Sequence, residues 1–158
     1  MADLVIMRHA KSAWPDGIAD IERPLDERGR RDAPSAGRWL REHTALDLVV
    51  SSPALRTRQT WQLVAAELET VPEVRFDERL YATSAATYAA VVRELPADAG
   101  TVLLLGHNPD VEDLVGLLSG TPVGFKTSTI AVLKAPGPWE NARRGWATVE
   151  TSVTPRGE

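Results

Sequence analysis

Short apolar runs and longer amphipathic stretches alternate along this chain. Asp3 to Met7, Asp47 to Val50, Val74 to Phe76, Thr101 to Leu105 and Ile130 to Lys134 predict β-strands, with a sixth expected over Trp146 to Thr151. Between them, apolar residues recur at helical spacing over Asp26 to His43, Pro53 to Glu69, Ser84 to Leu95 and Pro109 to Leu118. Such alternation predicts an α/β fold: a single three-layer domain with a mostly parallel central sheet flanked by helices. The last two runs have no helix between them and are free to pair antiparallel. Loops are expected at Trp14-Pro15-Asp16-Gly17, Gly120-Thr121-Pro122 and Pro136-Gly137-Pro138. The domain is expected to span 1–153, with 154–158 as a frayed C-terminal tail.

Composition narrows the functional classes. At 158 residues, 43% hydrophobic and 25% charged, the chain suits one domain with a real core. Its 18 Lys plus Arg against 22 Asp plus Glu give a formal charge of −4, which argues against a general affinity for nucleic acid or anionic membrane. Any anion site must therefore be a local cationic pocket. The absence of cysteine excludes disulfides, thiolate metal sites and a cysteine nucleophile. With neither a signal-peptide pattern nor an apolar run of membrane-spanning length, a cytoplasmic location is expected.

Three strands end in residues able to meet an anion. The first delivers Arg8 and His9 to the carboxyl ends of the strands, where ligands of open α/β sheets collect. The second runs into Ser51-Ser52-Pro53, with Ser52 expected as N-cap and Pro53 as the first helical residue. Arg56 then lies in the first turn, beside the free N–H groups of a helix N-terminus. At about 100° per residue Arg56 shares a face with Thr60, Leu63 and Val64, whereas Arg58 points to solvent. The fourth strand leads into Gly106-His107-Asn108-Pro109, with Asn108 expected as N-cap and Pro109 at the first helical position. His43, near a predicted helix end, fits a residue complementing the helix dipole.

Taken singly, each has an ordinary structural explanation, such as a solvated strand end or a surface ion pair. Together, two arginines and two histidines around one point require an anion, and a tetrahedral phosphate accepts several charge-assisted hydrogen bonds from such a set. The arginines also disfavour imidazolium, keeping a histidine neutral and nucleophilic. The chain has no Walker-type loop and no metal-ligand spacing, so no cofactor or metal is expected.

The run Leu4-Val5-Ile6-Met7-Arg8-His9-Ala10 resembles the Arg-His-Gly motif of the histidine phosphatase superfamily, with Ala10 in place of the glycine. Ser51 to Thr60 resembles its second motif and Gly106-His107-Asn108 its late histidine motif. Arg23-Pro24-Leu25 with Gly29, and Phe125-Lys126-Thr127-Ser128, are similar to segments of the short SixA-type phosphohistidine phosphatases. The resemblance spans most of the chain and implies a phosphoglycerate mutase-like fold. It implies that His9 attacks phosphorus and carries the phosphoryl group, that Arg8, Arg56 and His107 bind its equatorial oxygens, and that water then releases phosphate.

Arg23, Thr127 and Ser128 are candidate substrate contacts, and each also reads as a loop residue: Arg23 at a helix entry, Thr127 and Ser128 leading into the fifth strand. Lys126 reads as a solvated charge, Trp14 as a pocket rim, and Trp39 and Trp61 as packing residues. The general acid is open. Mutase-like branches supply a carboxylate, and here Glu78 and Asp16 are the candidates, with Asp20 and Asp110 behind them. An imidazole leaving group needs less help than an alkoxide. The chain also shows no large insertion to cap a small substrate.

The leading expectation is accordingly a phosphatase acting on phosphohistidine of a phosphotransfer or histidine kinase domain. The alternatives are a phosphomonoesterase of small phosphorylated molecules, or a phospho-ligand binding module without turnover.

Overall fold

The computed structural model describes residues 1–158. Ten regular elements follow one another: β1 (Ala2–Arg8), α1 (Glu27–His43), β2 (Leu48–Ser51), α2 (Leu55–Ala65), β3 (Glu73–Phe76), α3 (Ala85–Arg93), β4 (Thr101–Gly106), α4 (Asp110–Ser119), β5 (Ile130–Ala135) and β6 (Thr148–Val153). They build one six-stranded sheet in the order β3-β2-β4-β1-β5-β6. β1, β2, β3 and β4 are mutually parallel, β5 runs antiparallel to β1, and β6 returns antiparallel to β5. The antiparallel pairing falls where no helix separates two runs, because a short loop can only reverse the chain.

The unbroken apolar runs are explained by burial on both faces. Successive side chains on a strand point to opposite sides. Val5, Met7, Val49, Leu103 and Leu105 pack with Ala36 and Leu40 of α1 and Trp61 and Val64 of α2. Leu4, Ile6, Leu48, Val50, Val102 and Leu104 pack on the opposite side with Tyr88 and Val92 of α3 and Leu114 and Leu118 of α4. Helices thus cover both faces of the sheet, and the strand tips between them remain to carry polar residues.

Two helix starts differ from the sequence expectation. α2 begins at Leu55 with Ala54 as its cap residue, not at Pro53 after Ser52. The Ser52 hydroxyl accepts from Ala54 N at 3.2 Å and lies beside His107, so it does not cap the first turn. α4 begins at Asp110 after Pro109, because the Asn108 amide turns aside to donate to Phe125 O at 3.3 Å. Both residues serve the polar cluster at the strand tips and not their own helices.

The C-terminus also departs from expectation. Instead of fraying, Gly157 is buried and its N–H donates to the carboxylate of Asp32 on α1 at 2.9 Å. Arg156 Nη1 donates to the same carboxylate at 3.0 Å and to Thr127 O at 2.9 Å. Only glycine fits at 157, since a Cβ there would collide with the Arg31 carbonyl.

Candidate active site

β1, β4 and β2 are adjacent, and their carboxyl ends bring His9, His107 and Ser52 together. His9 N donates to Gly106 O at 3.1 Å, extending the β1–β4 ladder by one residue beyond the strand. Ala10 N donates to Thr60 Oγ1 at 3.0 Å, and Thr60 Oγ1 in turn donates to Arg56 O at 2.7 Å. One buried hydroxyl therefore registers β1 against the first turn of α2. Arg56 is buried while Arg58 lies exposed against Phe76, as the helical-face argument expects.

The imidazoles of His9 and His107 lie 5.3 Å apart between centroids. His9 Nδ1 donates to the carbonyl oxygen of Ala10 at 2.6 Å, which leaves Nε2 as the unprotonated nitrogen of the neutral ring. Burial pushes the His9 pKa down to about 3 against that hydrogen bond, and the charges of His107, Arg56 and Arg8 add to the lowering. His107 is lowered to about 4, again chiefly by burial and then by Arg56. Both rings are neutral near pH 7. His107 Nε2 lies 2.7 Å from Ser52 Oγ, and its backbone N–H donates to Tyr88 Oη at 3.2 Å. Gly106 is required beside it, because a Cβ there would stand 2.5 Å from that phenol oxygen.

Cationic donors surround the two rings. Arg8 Nη1 donates to Phe125 O at 2.9 Å, while its Nε is buried with no protein partner. Arg56 Nε, His107 Nδ1 and Ser128 Oγ are likewise buried and unpartnered. Four such polar atoms from four segments around His9 suit a multidentate oxyanion, since a buried polar group left without a partner otherwise incurs a desolvation penalty of about 1–3 kcal/mol. Ser128 is positioned by its own N–H, which donates to Arg8 O at 3.2 Å and His9 O at 3.1 Å, and it holds a left-handed φ of 66°.

The other expected contacts fall in different places. Arg23 is buried beside the site, but it donates to Asp20, Ser12 and Ala13 and lies under the exposed Trp14 ring, 3.5 Å away. Thr127 contributes its carbonyl to Arg156, and its side chain makes no hydrogen bond with another residue. Glu78 and Asp16 are exposed, and neither side chain makes a hydrogen bond or ion pair with another residue. Asp110 is buried at the start of α4, where burial and nearby Asp113 raise its pKa. Trp61 sits in the core, Trp39 stacks on His43, and Lys126 is exposed.

Two residues matter more than the sequence suggests. Asp20 accepts from Arg23 Nε at 3.0 Å, from Arg56 Nη2 at 3.1 Å and from the Tyr81 hydroxyl at 2.5 Å, and its carbonyl accepts from Arg56 Nη1 at 2.7 Å. The Tyr81 hydrogen bond and the two arginines hold its pKa down to about 2, overcoming partial desolvation. Tyr81 packs its ring edge-on against His107 at 5.5 Å. The spacing of Asp20 three residues before Arg23 is the one sequence signal for this cluster; nothing near Tyr81 marks it.

Comparison with known proteins agrees with this geometry. Residues 4–107 match the model of histidine phosphatase superfamily branch 1. The chain belongs to that family. It is 40% identical to the uncharacterized protein Rv1276c of Mycobacterium tuberculosis, over 95% of this chain and 100% of the relative. Among solved structures, a candidate phosphohistidine phosphatase SixA from Nakamurella multipartitia superposes with a TM-score of 0.87 at 32% identity, covering 98% of this chain and 96% of that one. The protein histidine phosphatase SixA complexed with tungstate gives 0.84 at 27% identity, over 97% of each chain. The fold is phosphoglycerate mutase-like, and family membership supports a phosphatase. No helix is long and apolar enough to cross a membrane.

Proposed function

We propose that this histidine phosphatase removes phosphate from phosphohistidine on a cytoplasmic signalling protein, such as a phosphotransfer or histidine kinase domain. The carrying observation is His9, neutral, with Nδ1 tied to Ala10 O and Nε2 free among Arg8, Arg56 and His107. Nε2 forms a bond to phosphorus as the P–N bond of the substrate breaks. The electron pair goes to the departing nitrogen, and the imidazole leaves neutral when its second nitrogen already carries a proton. Water then attacks the phosphorus of phospho-His9, the new P–N bond breaks, and dihydrogen phosphate departs from a neutral ring. Arg8, Arg56, His107 and Ser128 hold the equatorial oxygens in both steps.

A substrate with an N–P bond fits the acids on offer. Asp20, the carboxylate that holds Arg56 and Tyr81 beside the rings, is ionised and unable to protonate an alkoxide. An imidazole leaving group needs no such donor. The similarity to SixA structures at 27–32% identity supports the same substrate class.

The test is incubation with a phosphotransfer domain labelled on histidine, with rapid acid and alkaline quenches. Loss of label, with alkali-stable and acid-labile phosphate appearing transiently on His9, is the expected result. Equal loss of label with His9→Ala would remove the proposed nucleophile. Efficient turnover of small phosphate esters with the labelled domain untouched would reassign the substrate to a metabolite.

A further inference from the structure

The three nitrogens of the Arg56 guanidinium divide between an inner and an outer region of the site. Nε is buried and unpartnered, whereas Nη1 and Nη2 are both spent on Asp20. The Asp20 carboxylate therefore stands one guanidinium away from the place an oxyanion would occupy. Its side chain keeps 50% of its exposure, so it meets solvent on the side of Arg56 away from Nε and next to Tyr81, whose ring packs on His107. It is also fixed there. Arg23, Arg56 and Tyr81 hold it from three segments, and Oδ1, with a single partner, retains a free lone pair.

We propose that Asp20 is a specificity-determining residue, which disfavours substrates bearing a second anionic group beside the transferred phosphoryl group and favours those presenting a hydrogen-bond donor or cation there. This rests on the phosphoryl site described under the proposed function. Two unit charges separated by a guanidinium width in a partly solvent-screened region repel enough to alter affinity by about an order of magnitude. Arg23 and Arg56, both paired with Asp20, offset part of that repulsion but remain when the carboxylate is removed, so exchanging Asp20 for a neutral residue isolates its own contribution. Arg23 spends Nε on Asp20 and Nη1 on Ser12 and Ala13, and its face is covered by Trp14. Arg56 spends both terminal nitrogens on Asp20 itself. Asp16 and Glu22 lie exposed on the same loop and add negative charge to it. A phosphoimidazole protonated on its second nitrogen meets the opposite situation, because that N–H is a donor for the free lone pair of Oδ1. The same carboxylate would then steady the protonated form from which imidazole departs neutral.

The selectivity is read most directly as binding, with turnover suppressed. Phenyl phosphate, which has no second anion, and phosphoglycolate, which carries a carboxylate close to phosphorus, are titrated calorimetrically into the full chain carrying His9→Ala. The unsubstituted Asp20 chain is expected to bind phosphoglycolate more weakly than phenyl phosphate. Adding Asp20→Asn or Asp20→Ser should lower the ratio of the two dissociation constants at least about fivefold, while Tyr81→Phe, which keeps the charge, should preserve it. A smaller shift in both Asp20 variants overturns the proposal. So does loss of both ligands in both, which would make Asp20 a positioning residue alone. Tighter binding of phosphoglycolate to the chain with Asp20 intact overturns it without any Asp20 variant. None of these readings needs a phosphohistidine substrate, so failure of the labelled-domain experiment leaves them standing, and their failure leaves that experiment intact.

Discussion

Thr60 Oγ1 accepts the Ala10 N–H at 3.0 Å and donates to Arg56 O at 2.7 Å, so one hydroxyl links the segment carrying His9 to the helix carrying Arg56. Thr60→Val keeps the shape and removes both bonds, leaving a buried N–H without a partner. The expected cost is about 1–3 kcal/mol in denaturant unfolding, with kcat falling about tenfold or more because misplacement near 1 Å is costly in a preorganised site. Thr60→Ser, which retains the hydroxyl, should recover most of the rate.

Arg56 is held as a fork, with Nη1 on a carbonyl and Nη2 on a carboxylate of the same residue. A lysine ammonium cannot reproduce that planar arrangement. Arg56→Lys is therefore expected to behave nearly like Arg56→Ala, each losing about 10²–10³ in kcat. Rescue by lysine to within tenfold of wild type would show that charge alone suffices.

The histidines make the fold sensitive to mild acid. Their folded pKa values, about 3 for His9 and about 4 for His107, lie below the unfolded value of 6.5. Between those limits the unfolded chain binds protons that the folded chain refuses, so stability falls as pH drops through 6.5 towards 4. At pH 5.5 the loss is about 1 kcal/mol per histidine relative to pH 7.5. Thermal unfolding across this range measures it, and the His9→Ala, His107→Ala double variant should show a flatter profile.

Glu78 and Asp16 provide a negative prediction. Both are exposed, without polar side-chain contacts. Glu78→Gln and Asp16→Asn should each keep kcat within about twofold, whereas loss of a working general acid typically costs about 10²-fold or more. A pH–rate profile of each variant settles the matter, since removal of an acid also removes the alkaline limb.

At the C-terminus, Asp32 gathers Arg28, Arg156 and the Gly157 N–H. Gly157→Ala should destabilise by about 1–3 kcal/mol, as expected of an overpacked position. Because Arg156 also holds Thr127 O, next to Ser128, the same variant should raise KM for phosphate substrates.

The sheet, its flanking helices and the four central residues were legible because each rests on a local signal. Apolar runs mark strands, and Arg8, His9, Arg56 and His107 occur within a few residues of a strand end. Ser52 and Asn108 misled because cap preference is read along the chain, whereas their side chains are claimed by partners distant in sequence, His107 and Phe125. The part played by Asp20 was hidden for the same reason. Its carboxylate draws on Tyr81 and Arg56, and sixty-one residues separate Asp20 from Tyr81. Arg23 lay closer to legibility, with its (i, i+3) partner visible in the sequence.

The strand order carries a kinetic consequence. β4 is inserted between β1 and β2, so the two N-terminal strands have no mutual pairing and cannot dock until a segment some fifty residues past β2 has arrived. Such non-local closure slows folding and leaves two apolar edges open in the meantime. His9 and Ser52 meet across β4, which itself leads directly into His107. Recovery of catalysis after dilution from denaturant is thus a clock for the central strand's arrival, and should lag any helical signal recorded from the same sample.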